Sequence, residues 1–176
     1  MDISPVFFYV FAALAIGFSL SVILKKNPVG NAFSLVMVFF AFAGIYAILG
    51  AHLIAALQVL VYAGAIMVLF IFVIMLLNAD EPSFDMGRSH IGIKIGAGTL
   101  CAILFCTFVW AIKESPINIP AGRFTPEAIQ ASGGNTQVVS ELMFSEYILP
   151  FELTSVLLLA AIVGAVAIAK RKLGKN

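Results

Sequence analysis

The stretch "QVLVYAGAIMVLFIFVIMLLNAD" (Gln58–Asp80) is apolar enough to cross a lipid bilayer, yet it contains residues that weaken a helix. Gln58 and Tyr62 are four residues apart, so we expect them on one face of an α-helix. The small residues at positions 63–65 follow, and a glycine inside a helix costs roughly 0.5–1 kcal/mol relative to alanine. The run indicates either close packing of a neighbouring helix onto Gly64 or a π-bulge, which is a departure common at functional sites. The residues alone leave both possibilities open.

The composition of the whole chain is that of a membrane protein. Of its 176 residues, 62% are hydrophobic and only 11% are charged, whereas soluble domains have about 25% charged residues. The net charge of +1 gives no electrostatic argument for binding nucleic acid or acidic substrates. We therefore expect a lipid bilayer as the surroundings of this chain and no nucleic-acid partner.

Long apolar segments with few or no charged residues define the spans, because one crossing needs about 20 mostly apolar residues. Residues 27–79 lack Asp, Glu, Lys and Arg but are too long for one helix at about 1.5 Å per residue, so the chain must turn near Gly50. The predicted spans are residues 4–24, 31–49, 53–77, 91–112 and 150–169, with a long outer loop over residues 113–149. Within that loop, Asn135 or Thr136 is expected to cap a short surface helix. The predicted fold class is an all-α membrane protein, a single transmembrane domain over residues 1–176.

The basic residues are distributed asymmetrically between the two sides of these spans. Eight of the ten, including Lys25, Lys26 and Arg171, fall on one side, and only Lys113 and Arg123 fall on the other. The positive-inside rule therefore predicts an outside N-terminus and a cytoplasmic C-terminus.

Candidate chemistry is sparse. No sequence signature of a nucleotide-binding, hydrolase or metalloprotease site occurs, and His52 and His90 are expected on opposite sides of the membrane. Cys101 and Cys106 are expected to be buried apolar residues rather than metal ligands. We predict no catalytic residue, no cofactor site and no metal site in this chain.

Polar side chains within the spans are the remaining candidates, because they are costly in hydrocarbon. They are Gln58, Tyr62 and Glu152, the last of which lies behind Pro150 near the start of the fifth span. Hydrogen bonding between helices explains them on residue type alone, and a role in proton movement is the alternative. Small residues at four-residue spacing, such as Ala13 and Gly17, favour packing against partner subunits.

Three segments together resemble a known family. They are "VYAGAIMVLFIFVIMLLN" (residues 61–78), "YILPFELTSVLLLAAIVGAVAIAKR" (residues 147–171) and "NPVGNAFSLV" (residues 27–36). In this order they resemble the third helix, the fifth helix and the entry to helix two of the J subunit of bacterial NADH–quinone oxidoreductase. That enzyme is respiratory complex I, and the mitochondrial counterpart of the subunit is NADH dehydrogenase subunit 6.

The resemblance implies more than the residues do. It implies a multi-pass subunit of the bacterial inner membrane, lying between the quinone-side subunit and the antiporter-like subunits of the complex. It also implies that FMN, the iron–sulfur clusters and the quinone belong to partner subunits. The third helix of the family carries a π-bulge that converts to α form and so opens or closes a proton path. The implied gating or proton-path residues here are Gln58, Tyr62, Ala63, Gly64, Ala65, Met67, Val68 and Glu152.

Some members of the family have Glu where this chain has Gln58. Glutamine cannot take up and release a proton, although it can orient water. Two other functions remain open at this stage: a small secondary transporter, and a purely structural subunit in which Gly64 only permits packing.

Overall fold

The computed structural model describes residues 4–77, 91–114, 122 and 124–170, and the regular structure of these residues is helical throughout. Helix α1 covers Ser4–Leu24 and α2 covers Pro28–Ile48. The third span begins with α3 (His52–Leu57), continues as a π-helical segment (Gln58–Ile66) and ends with α4 (Met67–Leu76). Then come α5 (Ile91–Glu114), α6 (Pro126–Ala131), α7 (Asn135–Ser145) and α8 (Ile148–Ala169).

Five helices in the described ranges are long and apolar enough to cross a membrane. They are Pro5–Leu24, Pro28–Ile48, His52–Leu76, Ile95–Glu114 and Ile148–Ala169. The all-α class and the number of spans predicted from the sequence are thereby confirmed.

Short-range polar contacts set the connection between α1 and α2. The Asn27 side chain caps α2, accepting hydrogen bonds from the backbone N–H groups of Val29 and Gly30. The Lys25 ammonium donates to the hydroxyl of Ser34 at 2.9 Å, and that hydroxyl is buried in the helix pair. These contacts satisfy groups that would otherwise be unpaired where the chain re-enters an apolar environment.

The core is formed by α1, α2 and the third span, with α2 in the middle. Within the described residues α2 packs against both neighbours, whereas α1 does not reach the third span. The buried apolar residues are mostly alanines, which let the backbones approach closely. Gly44 marks a close approach, since a Cβ there would lie 2.7 Å from the ring of Phe11. The helices α1 and α2 are therefore in tight contact at this position.

The last two spans pack very differently from the first three. Within the described part of the chain, α5 contacts no other helix and α8 contacts only α7. Cys101 and Cys106 lie exposed on α5, so the expectation that they are buried is wrong for this chain by itself. A Cβ added at Gly17, Gly96 or Gly164 would meet no atom of the described residues within 4 Å. The small-residue faces predicted to carry helix contacts are thus open on this chain.

The segment before α8 is more structured than the sequence indicated. A short helix in this segment is confirmed, but α7 already begins at Asn135, and the residue at its N-cap is Gly134 rather than the predicted Asn135 or Thr136. Helix α6 was not predicted, although Thr125 caps it by accepting a hydrogen bond from the Ala128 backbone N–H, and Pro126 opens it. Only six residues long, α6 lacks the apolar periodicity on which sequence interpretation depends.

Candidate functional site: the π-helical segment of the third span

The hydrogen bonds of the backbone change register along the third span. The N–H of Gln58 bonds to the carbonyls of Ala55 and Ile54, and the bond to Ile54, four residues back, is the one found in an α-helix. The N–H of Met67 bonds to the carbonyls of Gly64 and Tyr62, and the bond to Tyr62 reaches five residues back. At the end of the span the four-residue pattern returns, from Leu77 to Val73. The departure from α geometry predicted around residues 62–66 is confirmed as a π-helical segment, and it begins earlier, at Gln58.

The change in register decides which side chains face α2. The buried residues of the third span are Gln58, Ala63 and Met67, with 8%, 6% and 3% of their surface exposed. They are separated by steps of five and four residues, so the longer step coincides with the π-helical segment. The Gln58 amide is thus aligned with Ala63 and Met67 on the face of the third span that contacts α2.

Tyr62 is less buried than Gln58, although it too contacts α2. The expectation that the two side chains share one face stays a prediction. Tyr62 is 49% exposed, and its ring lies edge-on to that of Phe39 in α2 with the ring centres 5.8 Å apart. Phe39 was not among the predicted site residues, since nothing in its apolar surroundings in the sequence distinguishes it.

Gly64 is constrained by its own helix. A Cβ at this position would lie 3.2 Å from the carbonyl oxygen of Val59, five residues back, and would meet no other described atom within 4 Å. A neighbouring helix therefore does not pack onto Gly64 within the described chain. The tight contact is a property of the π-helical backbone, because it brings the carbonyl of residue i−5 close to residue i.

The other predicted site residues lie elsewhere. Ala65 and Val68 are exposed. Glu152 is exposed in the first turns of α8, and its backbone carbonyl accepts a hydrogen bond from the Ser155 hydroxyl. Since α8 does not contact the third span within the described residues, the structure does not bring Glu152 to Gln58.

No alternative site of comparable definition occurs in the described residues. A hollow of about 230 Å³ lies between α6 and α7, lined in part by Ile129, Glu141 and Leu142, and none of its lining residues belongs to the third span. Groups of three or more His, Cys, Asp or Glu side chains suited to a metal ion are absent from the described ranges. The π-helical segment is therefore the candidate functional site.

Comparison with known proteins gives a consistent result. Residues 18–168 match the family described as NADH-ubiquinone/plastoquinone oxidoreductase chain 6. The chain is 42% identical to NAD(P)H-quinone oxidoreductase chain 6 of Synechocystis sp., over 94% of this chain and 80% of the relative. It is 40% identical to the chloroplastic NAD(P)H-quinone oxidoreductase subunit 6 of Adiantum capillus-veneris, over 88% of this chain and 78% of the relative.

A bacterial relative carries the other name used in this family. NADH-quinone oxidoreductase subunit J of Rickettsia prowazekii is 31% identical over 96% of this chain and 81% of the relative. The match extends from α1 to α8 and includes the whole third span. On these grounds, together with its five apolar spans, the chain belongs to the chain 6 (subunit J) family, the multi-pass membrane subunits of NADH–quinone oxidoreductase, complex I.

Proposed function

We propose that this subunit helps to couple quinone reduction to proton translocation by changing the register of its third span between π and α forms. The observation that supports the proposal is the five-residue step from Gln58 to Ala63, where the N–H to carbonyl pattern shifts by one residue. Such a segment has two related hydrogen-bonded states, because removing the extra residue from the turn restores α geometry. The subunit supplies no catalytic group of its own.

The change of register exchanges the residues on the face toward α2. If Gln58 keeps its place, restoring four-residue spacing brings Tyr62 and Ile66 to the positions that Ala63 and Met67 hold in the π form. A small side chain is then replaced by an aromatic one, and Met67 and Val68 turn with α4. The exchange alters the space available for water between the third span and α2, and that space is the proposed gate.

Two polar residues have supporting roles in this proposal. Gln58 orients water at the α2 face, since an amide both donates and accepts hydrogen bonds but does not titrate. Glu152 lies exposed in the first turns of α8, where the helix dipole favours a carboxylate. We assign it to exchange protons with groups of partner subunits rather than with Gln58.

The assembly follows from the same proposal. The quinone-side subunit and the antiporter-like subunits cover the open faces of α5 and α8, and FMN, iron–sulfur clusters and quinone are held by partners. We place the complex in the bacterial inner membrane with the N-terminus of this chain outside, as the distribution of basic residues supports. Some relatives are chloroplastic, so this placement does not follow from family membership.

Two other functions fit the geometry less well. A transporter with a shared site made of Gln58, Tyr62 and Glu152 would need them together, and Glu152 lies on α8, which does not contact the third span within the described residues. A structural spacer would use Gly64 for packing, and no neighbouring helix approaches it within the described chain. Replacement Tyr62→Phe should be nearly silent if the chain is only a spacer.

The test of the gate is the assembled complex carrying Gly64→Ala. The new methyl group would lie 3.2 Å from the Val59 carbonyl oxygen in the π form, so alanine at this position disfavours that form relative to the α form. We expect normal assembly and quinone reduction with fewer protons translocated per electron pair. The matched control is Gly98→Ala, on α5, where a Cβ meets nothing within 4 Å. Two results would exclude the gate. One is loss of assembly in Gly64→Ala, and the other is a normal ratio of protons to electron pairs in both Gly64→Ala and Gly64→Val.

A further inference from the structure

The first turn of the third span lacks a cap from its own sequence neighbours. The residue at its N-cap is Ala51, whose side chain cannot accept a hydrogen bond. The first backbone N–H groups of any helix have no partner inside the helix, and a Ser, Thr, Asp or Asn side chain usually accepts from one of them. Here the acceptor comes from elsewhere in the chain: the N–H of Leu53 donates to the side-chain oxygen of Asn135 at 3.4 Å.

The turn before α7 is shaped to present this side chain. Gly133 and Gly134 both have positive φ, +90° and +99°, which residues with a Cβ rarely adopt. Two such residues in succession reverse the chain after α6 so that α7 begins at Asn135. The Gln137 side chain lies against Gly133 and leaves no space there for a Cβ. Asn135 is itself partly buried, as expected of a side chain held at a contact.

The contact continues beyond this single hydrogen bond. Helix α7 packs against α3 on one side and against α8 on the other. It is the described element that joins the core of three spans to α8, which has no other contact within the described residues. Only residues 54–57 of α3 separate Leu53, which contacts Asn135, from the start of the π-helical segment at Gln58.

We infer that Asn135 is a positioning residue: it caps the third span from a distance of 82 residues in sequence and holds α3 fixed while the π-helical segment changes register. A change of register must rotate one half of the span relative to the other. The half with α3 is held by α2 and by α7, whereas α4 contacts only α2 and the adjoining π-helical segment among the described elements. Because α3 is held in place, the rotation takes place in α4. The functional half of this inference rests on the proposed function.

The test uses the assembled complex with Asn135→Ala, Asn135→Asp and the control Thr136→Ala. Alanine removes the acceptor without harming α7, because it is a good helix former. Aspartate keeps an acceptor oxygen, and Thr136 is exposed on the next position of the same helix. Hydrogen exchange is followed by mass spectrometry over residues 50–57, together with quinone reduction and protons translocated per electron pair.

We expect exchange at the Leu53 amide to become about fivefold faster in Asn135→Ala, as for the loss of one helix cap. The proton ratio should fall at an unchanged rate of quinone reduction, and Asn135→Asp should restore both while Thr136→Ala alters neither. Unchanged exchange in Asn135→Ala would overturn the cap, and faster exchange with a normal proton ratio would overturn the positioning role. A wrong gate can be told apart from a wrong cap. If only the gate is wrong, Gly64→Ala leaves the proton ratio unchanged, while the Leu53 amide still exchanges faster in Asn135→Ala.

Discussion

At the scale of single residues, Gln58 is the polar side chain most directly placed at the candidate gate. It is 8% exposed and occupies the α2 face just before the backbone register shifts. An apolar residue at this position would pack equally well, and burial of an amide is costly unless it forms hydrogen bonds. The proposed gate accounts for the buried amide, because water at the gate would complete its hydrogen bonds.

Replacement Gln58→Leu tests this role. Leucine is of similar size and favours both the helix and the membrane, so we expect normal assembly. The proton ratio should fall while quinone reduction continues, because water at the gate loses its hydrogen-bonding partner. Proton uptake into sealed vesicles, measured beside the rate of quinone reduction, checks the expectation. A normal ratio of protons to electron pairs in the Gln58→Leu complex would show that Gln58 serves only for packing.

At the scale of elements, much of the fold could be predicted and the register could not. Long apolar runs with few or no charged residues located all five spans, since crossing a bilayer demands length and apolarity that few other elements combine. The backbone register could not be predicted, because a single extra residue in a turn moves every following side chain and no periodicity in an all-apolar helix reveals it. The capping contact between Asn135 and Leu53 was missed for a related reason, as it joins residues 82 apart.

The packing of α1 on α2 gives a prediction at this scale. A methyl group in Gly44→Ala would lie 2.7 Å from the Phe11 ring, so the ring must move or the helices must separate. Overpacking of this kind costs about 1–3 kcal/mol. We expect a lower midpoint of thermal unfolding for the assembled complex.

In the double variant Gly44→Ala/Phe11→Leu, the leucine side chain is smaller than the phenylalanine ring and leaves room for the methyl group at position 44. The double variant should therefore recover part of the stability lost in Gly44→Ala. If the single and double variants are equally stable, the close approach of α1 and α2 at Gly44 is not as described.

At the scale of the whole molecule, the chain is an incomplete bundle. Its first three spans pack together, while α5 and α8 present apolar side chains such as Phe105, Trp110 and Leu157 with more than half of their surface exposed. In lipid such faces are tolerated, but the small residues on α5 and α8 favour close contact with other helices. The open faces are the physical reason for expecting obligate partners.

The chain expressed alone should therefore be unstable after gentle solubilisation. We expect it to migrate as a heterogeneous or aggregated species in size-exclusion chromatography, and as part of a discrete complex when the other membrane subunits are co-expressed. A stable and monodisperse particle from this chain alone, with α5 and α8 protected from proteolysis, would contradict the account.

The orientation of the chain is testable with two introduced cysteines. After Cys101→Ser and Cys106→Ser, the variant Ser132→Cys should react with an impermeant maleimide in intact cells, because α6 and α7 are expected outside. Lys26→Cys should react only after permeabilisation. Both positions are exposed in the structure, so accessibility within the fold does not bias the comparison. The reverse pattern would invert the orientation.

The central claim is that the third span changes register during turnover. The most direct measurement is the structure of the assembled complex by electron cryomicroscopy, determined at rest and during turnover, at a resolution that defines the backbone of His52–Leu76. If the third span changes register, Gln58–Ile66 should be π-helical in one population of complexes and part of a continuous α-helix in another. Helix α3 should keep its position in both populations, and α4 should be rotated between them. The same π-helical segment in every population of an actively pumping complex would contradict it.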